Sequence, residues 1–77
     1  MDNIRQQLVT ALPLLADAGQ AADHQLVAAE QAQALRPSRD EQALQALGAL
    51  SREIWTAHKA TLTAIAATRQ YEGLEQR

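Results

Sequence analysis

Seventy-seven residues bound the chain to one small domain. Seventeen Ala, eleven Leu and ten Gln make up about half of it, with no Cys, no Phe, one Trp and one Tyr; this excludes a disulfide scaffold and a cysteine zinc site, and disfavours strands, which take β-branched and aromatic residues. Seven basic against nine acidic side chains give a net charge of −2, without the basic excess of a dedicated nucleic-acid or anionic-membrane binder.

The chain opens on its most apolar stretch, Leu8 to Ala16, which Pro13 interrupts. It is far short of the roughly 20 residues that span a bilayer. Ala16-Asp17-Ala18 imitates a leader cleavage site, but the segment before the apolar run carries only Arg5 as a basic residue, offset by Asp2. A cytoplasmic location is therefore expected.

Strong helix formers fill residues 3–35, and a 3.6-residue wheel gathers Ile4, Leu8, Ala11, Leu15, Ala18, Ala22, Leu26 and Ala29 into one stripe. Pro13 conflicts with that helix, because it removes an amide donor and crowds the carbonyl of Val9. Either the helix kinks between residues 9 and 13, or Thr10 caps a new helix with Pro13 in its first turn. The kink is the better reading, since the stripe keeps its phase from Ile4 through Leu15. Gly19 and Ala22 are small residues that let a neighbouring helix come close.

Residues 36–38 read as a turn. Pro37 holds Arg36 out of the helical region, and Ser38 with Glu41 three residues on fits a capping box. A second helix is expected over 39–71, with Leu44, Leu47, Leu50, Ile54, His58, Thr61, Leu62 and Ile65 on its stripe and a frayed tail over 72–77. So short a turn makes the helices antiparallel. The fold class is all-α: a helical hairpin forming one domain over residues 1–77.

A hairpin buries one stripe per helix, and this sequence carries more apolar surface than that. Alanines widen the second helix's apolar sector, Trp55 flanks it, and Val9, Leu14 and Val27 lie off the first helix's stripe. A wide apolar sector suits a four-helix bundle, completed by a second copy or by a partner protein's helices. The expected interface comprises Leu15, Leu26, Leu47, Leu50, Ile54, Trp55, His58, Leu62 and Ile65.

No residue set points to catalysis, a cofactor, a metal or a small-molecule substrate. His58 has no carboxylate three or four residues away on its face, so it reads as a core or interface histidine bonded to Ser51, Thr61 or a Gln of the first helix. His24 and the carboxylates Asp17, Asp23, Glu30, Glu53 and Glu72 read as solvated. Trp55 is divided between core packing and partner contact. Arg52 and Lys59, seven residues apart, form a weak basic ridge that a dimer would double, and they carry the alternative of a nucleic-acid-binding regulator.

An Ala/Leu/Gln-rich chain of this size with a Pro-Ser turn resembles, in shape, the small helical-hairpin co-chaperones of type III secretion needle subunits and small phage-encoded inhibitors of host factors. The resemblance implies a small bacterial or phage-like protein that works by binding another protein, and it carries over no functional residue. The expected function is a non-enzymatic interaction module acting as adaptor, co-chaperone or inhibitor.

Overall fold

The structure is a computed structural model that describes residues 1–34 and 40–76. Two long helices account for nearly all of them: α1, Asp2–Ala34, and α2, Glu41–Glu75. Arg5 Nε donates to Thr68 Oγ1 at 3.3 Å near one end, and the Asp40 amide donates to Gln33 Oε1 at 2.7 Å at the other. These two bonds make the helices antiparallel over their full length. The particle measures 66 × 16 × 11 Å.

α1 runs unbroken through Pro13, so Thr10 does not cap a new helix; its hydroxyl donates to the Gln6 carbonyl at 2.8 Å, inside the continuous helix. Pro13 faces solvent. The N-cap of α2 is Asp40, whose carboxylate accepts from the Ala43 amide at 3.1 Å. The expected cap, Ser38, lies outside the described residues, as do Arg36, Pro37 and Arg39. At the other end α2 does not fray at residue 72 but continues through Gly73 to Glu75.

Burial follows a 3.5-residue repeat, with steps of three and four residues. On α1 the inward positions are Arg5, Leu8, Leu12, Leu15, Gly19, Ala22, Leu26, Ala29 and Gln33, all buried or half-buried. On α2 they are Leu44, Leu47, Ser51, Ile54, His58, Thr61, Ile65, Thr68 and Glu72. Carried inward from Arg5 and Thr68, the antiparallel register sets Leu8 level with Ile65, Leu15 with His58, Ala22 with Ser51 and Leu26 with Leu47. The expected 3.6-residue stripes are corrected accordingly. Ile4 and Ala18 are exposed, with Arg5 and Gly19 in their place, and Leu50 and Leu62 are 51% and 48% exposed. The stripe and the seam coincide at most positions, and they part where a polar or small residue makes a contact with the other helix: Arg5 with Thr68, Gly19 with Trp55 and Ser51 with Asp23.

Several seam positions are polar, and each has a partner. Arg5 reaches Thr68 and Glu72 across the seam, as well as Asp2 on its own helix. Thr68 also donates to the Ile65 carbonyl at 2.7 Å. No buried side-chain nitrogen or oxygen among the described residues lacks a hydrogen bond. No side chain among them is fully buried either; the lowest exposures in the apolar seam are 6% at Ala22 and 7% at Leu44 and Ile65.

Candidate functional site

Midway along the hairpin the seam narrows to Gly19 and Ala22 on α1, and Trp55 of α2 lies across that gap. A Cβ on Gly19 would stand 2.6 Å from Trp55 Cε2 and 2.8 Å from Cζ2, so only glycine admits the ring. One turn on, the Asp23 carboxylate reaches across the seam. Its Oδ1 accepts from the Ser51 hydroxyl, and its Oδ2 accepts from the Trp55 indole N–H at 3.1 Å. Trp55 in turn meets the His58 ring edge-to-face, with centroids 5.5 Å apart and planes at 70°. Gly19, Asp23, Ser51, Trp55 and His58 thus form a polar clamp at the waist of the molecule.

Two expectations change here. Asp23 does not sit solvated on an outer face but is half-buried between two donors. His58 takes neither proposed serine nor threonine partner, because Ser51 donates to Asp23 and Thr61 donates to the Ala57 carbonyl at 2.8 Å.

The Ser51 hydroxyl, the Trp55 indole and the nearby charge of His24 together hold the Asp23 carboxyl below the usual carboxylate range, against an opposing push from burial. A carboxylate so stabilised is a weak base. Ser51 and His58 are seven residues apart, about 10 Å along the helix. The cluster therefore ties helix to helix, and it does not arrange a serine against a histidine base. Among the described residues, no group of three His, Asp or Glu side chains is placed to hold a metal ion.

The depressed Asp23 pKa has a signed consequence for stability. Its contribution is fully present above the unfolded-state carboxylate pKa and is lost as the pH falls through the lower, folded value. Melting curves between about pH 5 and pH 2 should show a loss of melting temperature in the native chain. Part of that loss should be missing in Asp23→Asn, which has no charge at this position to titrate. Identical pH profiles for the two proteins would contradict the assignment.

The clamp also divides the outer surface in two, because like flanks of an antiparallel pair lie on the same side of the seam. The clamp side carries Asp23, Glu30, Trp55 and Arg69 on its flanks, with Arg52 and Lys59 further out. Arg52 and Lys59 are exposed and two turns apart, as the ridge requires, and acidic groups share their side of the molecule. The opposite side is built from Ala11, Ala18 and Ala32 of α1 and Ala43, Ala57 and Ala64 of α2, with Ile4, Leu14, Leu50, Tyr71 and Leu74 among them. Those five larger side chains are 46–67% exposed.

The expected interface residues separate in the same way. Leu15, Leu26, Leu47, Ile54, His58 and Ile65 lie in the seam between the two helices, Trp55 and Leu62 lie on the clamp side, and Leu50 lies on the alanine side. A count in steps of three and four from Arg5 reaches Gln33 on α1, and the same count from Leu44 reaches Ser51 and Thr68 on α2. Nothing local marks Asp23 as the residue that bridges it.

No helix among the described residues is long and apolar enough to cross a membrane. No family model matches the chain, and comparison with curated proteins and with solved structures finds no match.

Proposed function

We propose that the protein is a non-enzymatic helical-hairpin interaction module that works by burying an outer apolar face against other helices, as an adaptor, co-chaperone or inhibitor does. A second hairpin laid against the first completes a four-helix bundle. The observation that carries this reading is the surface left in water. The chain exposes 5862 Å², whereas a compact monomer of its 8.4 kDa would expose about 4,600 Å². The excess is large relative to the roughly 800 Å² that each partner buries in a standard interface, and among the described residues nine large apolar side chains that include Leu14, Leu50 and Leu62 lie exposed.

Melting the purified chain over a wide range of concentrations tests the reading. A transition that climbs with concentration supports it, because association stabilises by mass action. So does a broad, weak transition from a chain kept alone. A sharp transition well above room temperature, unchanged by dilution, from a particle of 8.4 kDa would overturn it. The alternative built on Arg52 and Lys59 requires nucleic-acid affinity that falls steeply with salt, and gel-shift titrations at two salt concentrations distinguish it.

A further inference from the structure

We infer that the occupant of the alanine side is a second copy of this chain, and that the clamp side is left outside the dimer. This rests on the interaction-module reading and adds to it both the partner and the face.

Three observations select this face and this occupant. The first is charge. Among the described residues, every position on the alanine side is apolar except Gln7, Gln25 and Glu53, and Glu53 sits on the outer edge, where its carboxylate stays in water. In a two-fold dimer the same patch meets itself, so any charge on the patch opposes its own image. A face almost without charge is self-compatible, and it offers little by which a different protein could be chosen. The clamp side carries Asp23, Glu30, Arg52, Lys59 and Arg69, and two copies meeting there would have to desolvate them.

The second is area. About 1,200 Å² beyond the compact expectation, covered on each of two copies, amounts to roughly 2,400 Å² buried in total, within the range of obligate homodimers. The third is shape. Alanine flanks on both helices let four backbones approach closely, while Ile4, Leu14, Leu50 and Tyr71, standing 46–67% exposed, supply the larger groups that fill between them.

Sedimentation of the full chain and of single variants tests the assignment, with helicity by circular dichroism measured on each. Ala18 and Ala57 are exposed helix positions, and glutamate is a good helix former. Ala18→Glu and Ala57→Glu should therefore keep the hairpin helical while weakening the dimer by roughly 100-fold or more, since each charge enters the interface twice. Gln45→Glu adds the same charge on the clamp side and should leave the dimer unchanged. Gln25→Leu should tighten the dimer, a gain that misfolding cannot mimic, and Gln45→Leu should not.

A native dimer that survives both alanine-side glutamates overturns the assignment of the face and leaves the interaction-module reading standing. A weakly stable native monomer overturns the second copy as occupant, and again leaves that reading standing. A stable native monomer overturns both.

Discussion

Ile65→Asp is expected to leave the chain unfolded at room temperature, with the helical circular dichroism signal lost. Ile65 lies at a seam position, 7% exposed and level with Leu8. Removing its side chain costs about 2–5 kcal/mol in lost packing, and the carboxylate adds several kcal/mol of desolvation, since the nearest seam cation, Arg5, is already engaged by Thr68 and Glu72. A chain of this size seldom has more than about 3–5 kcal/mol in hand, so either cost alone is comparable to the whole stability. Val27→Asp is the comparison. Val27 is equally β-branched and apolar but 50% exposed on the outer surface of α1, and the substitution should cost about 1 kcal/mol or less. A folded Ile65→Asp variant would contradict the placement of the seam.

Gly19→Ala and Gly48→Ala should move stability in opposite directions. Both glycines lie inside long helices, where alanine is favoured by about 1 kcal/mol. At Gly48 an added methyl meets nothing within 4 Å, so the propensity gain stands alone and the melting temperature should rise by about 4–8 °C. At Gly19 the same methyl stands 2.6 Å from the Trp55 ring. The ring must lift from α1 and give up its bond to Asp23, and overpacking of this kind costs about 1–3 kcal/mol. That cost exceeds the gain, so the melting temperature should fall. Trp55 fluorescence should shift to the red as the indole enters water. A Gly19→Ala protein that is stabilised like Gly48→Ala would show that Trp55 does not need the gap.

These two experiments mark where local sequence stops being informative. Ala, Leu, Gln and Glu over more than thirty residues on either side of Pro37 make two helices, and a short turn makes them antiparallel; propensity and chain length need no knowledge of the partner helix. The small size of Gly19 and Ala22, and the lack of room for a large core, were legible in the same local way. Much of the seam was legible too: Leu8, Leu15, Ala22, Leu26 and Ala29 on α1 and Leu44, Leu47, Ile54, His58, Thr61 and Ile65 on α2 stand on both the expected stripe and the observed seam. The misses are single positions where an apolar residue gives way to a polar or small neighbour. Arg5 replaces Ile4, Gly19 replaces Ala18 and Ser51 replaces Leu50, each through a contact made by the other helix.

The same limit applied to individual residues. Local cost alone favoured a break at Pro13, because proline is tolerated in a first turn and costly in a helix interior; the phase of the apolar stripe argued for one helix, and α1 is continuous through Pro13. Asp23 looked like one solvated carboxylate among several until the second helix brought Ser51 and Trp55 to it. The amino-acid sequence by itself thus determined that two helices form and fold back on each other, since hydrogen bonding, propensity and turn length act between near neighbours. Only the tertiary structure decided where Arg5, Gly19 and Ser51 enter the seam, how Asp23 bridges it, and with that which residues are left exposed on either side. That choice depends on how two whole helices wind together and on where a glycine lets one of them approach.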